Sequence, residues 1–154
     1  MARQVVAEGA PVRASAFKSG HGVGEDWGSA VKACMNSLEA PPVGANLGLL
    51  YATDALAGDL SRVLAFLRER TRIEHWVGNI GFGVAASGVE YHDRPALSVL
   101  TAALPEAAFR IIFRSNLKTH EAFAKVREEL PESKDAEKMV AFLEKSERGF
   151  SRRK

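Results

Sequence analysis

The side chains in this sequence that could carry acid–base, metal or nucleophilic chemistry are four histidines, one cysteine and a scatter of serines. His21, His75, His92 and His120 form no HExxH, HxH or Cys/His cluster. Zinc therefore finds no ligand spacing, and neither a metal site nor a cofactor is expected. Cys34 falls on an apolar stripe, where a buried inert thiol is expected; a nucleophilic cysteine needs an electropositive, partly exposed setting. Ser15, Ser19, Ser29, Ser87 and Ser98 lack the GxSxG elbow that would expose a catalytic hydroxyl. No catalytic residue is assigned, and the chain reads as a non-enzyme.

Binding chemistry is the alternative, and it points to two glycine runs. Gly20, Gly22 and Gly24 are expected between a strand and a helix, where free backbone N–H groups could hold an anion. The pattern is GxGxG rather than GxGxxG and no Walker lysine follows, so a plain turn competes with a nucleotide site. Gly78, Gly81 and Gly83 would let the backbone approach another strand or a small ligand, with Asn79 offering hydrogen bonds. A small polar ligand such as an amino acid needs a few placed donors and charges in a cleft. The candidates are His21, Asp26, Asn79, Glu90 and His92, each set against the ordinary use of such residues at surfaces and turns.

Elements must position those residues. Val12 to Ser19 reads as a short strand, and Asp26 as the N-cap of a helix whose stripe is Trp27, Ala30, Val31, Cys34, Met35 and Leu38. That helix must stop before Pro41 and Pro42. Asn46 to Ala52 is apolar on both faces, as a strand covered on two sides requires. Thr53 or Asp54 can cap a second helix with the stripe Leu56, Leu60, Val63, Leu64 and Leu67. Arg68, Arg70 and Arg72 at its end suit the helix dipole, and read as a solvated helix end rather than a nucleic-acid patch. Strands follow at His75 to Ile80, Val89 to His92 and Ala96 to Leu104. Helical connections imply parallel pairing among the early strands and close-set ones imply antiparallel pairing later, so the fold class is α/β, a mixed sheet flanked by helices.

With 154 residues, 46% of them apolar, the chain can build one real core and is too short for two ordinary domains. No stretch approaches the roughly 18 apolar residues of a spanning helix, and MARQVVAEGAPVR has no apolar run of signal-peptide length. The expected compartment is the cytoplasm, and a single cysteine, which cannot form an intramolecular disulfide, fits it. Composition nonetheless changes along the chain. Twelve of the thirteen glycines precede residue 106. Residues 1–108 carry nine Lys+Arg against eleven Asp+Glu, whereas 109–154 carry twelve against eight. Two parts are expected: an α/β body over 1–108 and an appended, basic helical segment over 109–154. The tail's stripes are Phe109, Ile112 and Phe113; Phe123, Val126 and Leu130; and Ala136, Met139, Val140 and Leu143. Ser133 is placed to cap the last helix and Gly149 to end it. Such short amphipathic helices must dock on the body or on another chain, which makes a homo-oligomer or a signalling partner an expectation for the tail.

The run NLGLLYATDALAGDLSRVLAFLRERTRIEHWVGNIGFGVAASGVEYHDRPALSVLTAALP resembles the N-terminal part of FIST domains, presumed ligand sensors of bacterial signal transduction. The resemblance covers about residues 12–110 and is most specific over Gly88 to Leu100. It implies a small-ligand-sensing or interaction role; many members have a cysteine where this chain has Asn79. The tail resembles a different family, the C-terminal helical extension of UDP-N-acetylglucosamine acyltransferases of lipid A synthesis, through Ile111 to Ser115 and Ser146 to Gly149. That family's catalysis belongs to a left-handed β-helix of hexapeptide repeats, and no such repeat is present here. The alternative to a sensor is accordingly a fragment of the acyltransferase lineage that binds UDP-sugar or acyl carrier protein without acyl transfer.

Overall fold

The computed structural model describes residues 15–145. The order of elements is β1 (Phe17–Val23), α1 (Trp27–Leu38), β2 (Leu47–Thr53), a 3-10 segment (Asp54–Asp59), α2 (Leu60–Thr71) and β3 (His75–Gly81). Then come β4 (Gly83–Ala86), β5 (Val89–His92), β6 (Ala96–Ala102), α3 (Glu106–Phe109) with a wider π-type turn (Arg110–Arg114), α4 (Thr119–Glu129) and α5 (Lys134–Lys145). Four strands form one sheet in the order β1-β6-β2-β3, and β4 and β5 form a separate hairpin. β2 and β3 are parallel, as their helical connection requires, while β6 runs antiparallel between β1 and β2. The mixed α/β class and the C-terminal helices are as expected from sequence.

Alternation along the central strands divides the core in two. Leu50 and Ala52 of β2, with Leu97 and Val99 of β6, face α1 and α2 and pack against Ala30, Val31, Cys34, Leu38, Val63 and Leu67. Leu47, Leu49 and Ala102 face the other way, into a cluster with Phe109, Ile112, Phe123, Val126, Met139, Val140 and Leu143. The C-terminal helices are thus the second covering layer of the sheet. The cluster runs without a break across the change in composition at residue 108. All three tail stripes point inward as their spacing implies, with Leu130 and Phe113 partly buried. Ser133 caps α5, its hydroxyl accepting the Ala136 N–H at 3.3 Å; Gly149 and the Ser146 to Gly149 motif lie outside the described residues.

Specific contacts pin this layer. Asn46 grips Leu104 twice, its amide donating to the Leu104 carbonyl at 3.0 Å and its oxygen accepting the Leu104 N–H at 3.1 Å. Arg114 donates to His75 Nε2 at 2.9 Å, and the His75 ring lies 4.8 Å from that of Phe109. Arg127 ties α4 to α5 through Glu137 at 3.0 Å and Glu144 at 2.7 Å. Those ion pairs are solvent-exposed, so they fix orientation more than they stabilise.

Three elements differ from the sequence expectation. β1 starts at Phe17 and contains Gly20 and Gly22, which were expected in a loop after Val12 to Ser19; residues 12–14 lie outside the described residues. The reason is the approach of α1. A Cβ on Gly20 would stand 2.7 Å from Leu38 Cβ, and one on Gly22 would enter the shells of Cys34 N and Ala30 O. The glycines are strand residues because the helix backbone occupies the space of their side chains. The glycine-rich connection expected before Val89 contains β4, because Ser87 (φ 42°) and Gly88 (φ 84°) make the tight turn that folds it onto β5. The second helix begins at Leu60, after the 3-10 turn, and Thr53 does not cap it. Its buried hydroxyl instead donates to the Arg94 carbonyl at 2.8 Å and accepts the Ala96 N–H at 3.1 Å, joining β2 to the start of β6.

Two substitutions test this packing. Gly22→Ala should destabilise by about 3 kcal/mol, the upper range of core overpacking, while Gly58→Ala, whose added methyl meets nothing within 4 Å, should stay within about 0.5 kcal/mol of the parent. Ile112→Ala should cost about 3 kcal/mol in urea unfolding and lower the single transition of the whole chain; a tail that melts separately from the sheet would contradict the shared core.

Candidate functional site

Strand register places four polar-tipped side chains in one row across the tail-facing side of the sheet. His21 of β1 is paired with Ser98 of β6, Ser98 with Tyr51 of β2, and Tyr51 with Asn79 of β3. On one side the next row is apolar, Leu100, Leu49 and Val77, and the C-terminal helices cover it. On the other side the β4–β5 hairpin folds toward the sheet, burying Val84 and bringing the Tyr91 hydroxyl to 2.7 Å from His21 Nδ1. The His21 and Tyr91 rings are tilted at a centroid distance of 5.8 Å. Between these two covers the sheet is open. Tyr51 belongs to an interior strand whose neighbours are buried, yet it is 38% exposed.

The band has a definite chemistry. Two phenols, an imidazole, a hydroxyl and a carboxamide offer both donors and acceptors, and the Tyr51 ring offers an apolar face. None of them is a fixed charge. Asn79 Oδ1 accepts the Ile80 N–H at 2.8 Å, which leaves its amide N–H₂ to reach a ligand. His21 and Asn79 stand on the two edge strands, three inter-strand spacings or about 14 Å apart. A small molecule touches both ends only by way of Tyr51 and Ser98.

The structure therefore brings His21 and Asn79 onto one surface and sets the other three sequence candidates apart. Asp26 is used by its own helix: the Ser29 hydroxyl and N–H each donate to Asp26 Oδ1 at 2.7 Å, and the Asp26 N–H donates to Ser29 Oγ at 3.1 Å. Those bonds, the side-chain one first, hold the Asp26 carboxyl below its usual range. Glu90 and His92 lie two apart on β5, on the side opposite Tyr91, and pair with each other at 3.5 Å in solvent. Gly20 and Gly22 lie within β1 rather than in a strand-to-helix loop, the Gly24 N–H donates to the Pro95 carbonyl at 3.0 Å, and α1 fills the space beside all three.

Tyr51, Ser98 and Tyr91 join this row although they are not among the sequence candidates. A signal existed in NLGLLYA and ALSVLTA, where Tyr51 and Ser98 interrupt otherwise apolar strand faces, but only the register reveals that they are neighbours. Cys34 is buried under β6, and burial pushes its thiol up to about 12. Among the described residues no three His, Cys, Asp or Glu side chains lie together as a metal site would need. Nor is any described helix long and apolar enough to cross a membrane.

Comparison with known families matches residues 101–151 to the model described as UDP N-acetylglucosamine O-acyltransferase, domain 2. The match opens within β6 and runs through α3, α4 and α5, so the tail is similar to that domain from Thr101 onward. No curated protein matches the chain.

Two titration experiments follow. The Asp26 carboxyl is lowered in the folded state, so its stabilisation is present above about pH 4 and lost as pH falls through the lower folded value. Asp26→Ala should thus depress the melting temperature at neutral pH, with the gap to the parent narrowing as pH falls through the lowered folded-state value. Cys34 should resist a thiol reagent at pH 8 in the native protein and react at once in urea; fast native labelling would contradict its burial.

Proposed function

We propose that the chain is a non-enzymatic binding domain that takes a small polar molecule, uncharged or zwitterionic as an amino acid is, in the band between the C-terminal helices and the hairpin. The observation that carries the proposal is the exposure of Tyr51 on an interior strand, in register with His21, Ser98 and Asn79, with Tyr91 joined to the His21 end of the row. Neutral donors and acceptors around an aromatic face suit recognition rather than bond-breaking, for which an activated nucleophile or general base would be needed. The resemblance of Gly88 to Leu100 to FIST sensors agrees with this reading. In a sensor, occupancy would favour one arrangement of the hairpin or tail over another, to be read by a partner in the cytoplasm.

The match at 101–151 favours a second reading. The chain would belong to the acyltransferase lineage and use the same band for the sugar of a UDP-sugar, or its tail for an acidic carrier protein. Acyl transfer should be absent in either case.

Thermal shift with amino acids, related neutral metabolites and N-acetylglucosamine tests both readings. A ligand at 100 times its Kd should stabilise the full chain by about 2.7 kcal/mol, and Tyr51→Ala should abolish the shift while leaving the unliganded melting temperature nearly unchanged. Stabilisation by an amino acid favours the sensor and by the amino sugar the second reading; no response to any would overturn the binding site.

A further inference from the structure

A second concavity lies on the opposite side of the sheet, where α2 runs beside the free edge of β3. It is a groove of about 610 Å³, within the range of small-molecule sites. Its apolar wall is Leu60 and Leu64 of α2 with Trp76 and Ile80 of β3, and Arg68 stands at its mouth. Gly78 forms the floor, since a side chain there would run into the Leu50 carbonyl.

Both of its specific walls are fixed in advance. The Trp76 indole N–H donates to the Ile73 carbonyl at 2.9 Å, holding the ring over Gly48. Arg68 Nε donates to the Glu74 carbonyl at 3.2 Å, which anchors the guanidinium through its inner nitrogen and leaves both Nη groups without a hydrogen-bond partner among the described residues. Among the described residues no carboxylate pairs with Arg68. Every other polar side chain of the groove is neutral, so its charge preference is set by this one cation.

We propose that this groove is a binding site for a small amphipathic monocarboxylate, with its hydrocarbon body against Trp76, Leu60 and Leu64 and its carboxylate on the two free Nη groups of Arg68. A guanidinium held by Nε still offers a parallel pair of N–H donors at its end, which matches the two oxygens of a carboxylate. The pre-set Trp76 and Arg68 side chains lower the ordering cost of binding. The groove lies on the face of the sheet opposite Tyr51 and shares with that band only Asn79 of the edge strand, and neither reading depends on the other.

The two tryptophans make the test direct. In the ¹⁵N-labelled full chain, the indole N–H signals of Trp27 and Trp76 are separated by a Trp27→Phe variant. Octanoate should move the Trp76 signal in a saturable way with Kd below about 1 mM. Acetate, which lacks the body, and 1-octanol, which lacks the charge, should bind at least about tenfold more weakly. Arg68→Gln, at an exposed position that leaves the fold intact by its melting temperature, should reduce octanoate to the level of octanol. Tyr51→Ala should leave octanoate binding unchanged. The proposal is overturned by the absence of a saturable Trp76 shift, by equal binding of octanol, by an unaffected Arg68→Gln, or by loss of octanoate binding in Tyr51→Ala.

Discussion

A strand that is apolar on both faces cannot be left with one of them in water, and β2 and β6 are such strands. Leu47 and Leu49 point one way and Leu50 and Ala52 the other, with Ala102 and Leu97 repeating the division on β6. Covering only the α1–α2 side would leave Leu47, Leu49, Leu100 and Ala102 as a contiguous exposed patch of the kind monomers avoid. The C-terminal helices answer that need. In turn, their own short amphipathic stripes, too short to be stable alone, gain from the sheet the burial they require. Each part makes the other stable, and the borders of this mutual cover determine where the sheet remains accessible.

The same demand explains the glycine distribution. Glycine is a poor strand residue, so GHGVG reads as a loop when only local preference is weighed. In the structure α1 lies so close to β1 that Gly20 and Gly22 are the only residues the strand can accept. A tertiary contact overrides propensity here, and nothing within the segment announces it. Where the deciding interaction is local, the sequence was legible. Asp26 caps α1, Ser133 caps α5, and the stripes of α1, α2, α4 and α5 turn toward the core the residues their periodicity selects, Trp27, Met35, Leu60, Leu64 and Leu130 being partly buried and Leu56 falling in the 3-10 segment before α2. Thr53 marks the boundary between these cases: a residue suited to capping is taken instead by a contact with Arg94 and Ala96, more than forty residues away.

The candidate site was legible only in part, for a related reason. His21 and Asn79 attract notice as polar residues beside glycines, but their relation to Tyr51 and Ser98 exists only once β6 is inserted between β1 and β2. Strand order is a long-range property, and a shift of one residue in any pairing would turn that strand's member of the row to the other face. Glu90 and His92 show the complementary error. They alternate with Tyr91, so the hairpin that directs Tyr91 toward His21 must direct them away from it.

The family match begins at Thr101, inside a central strand, rather than at the change in composition near residue 108. That position has a physical sense. The Thr101 hydroxyl donates to the Lys18 carbonyl at 3.1 Å, and three residues later Leu104 is clamped by Asn46, so the chain leaves the sheet along a fixed path. Phe109 then meets His75 on the far edge strand, and Arg114 closes the contact. The helices are thereby held over the Leu47 and Leu49 rows and stop short of Tyr51. An arrangement that covered the whole face would need a longer helical layer or a hairpin lying farther over the sheet. With the lengths present, one row remains between them, and it is the row in which the apolar pattern of the strands gives way to hydrogen-bonding groups.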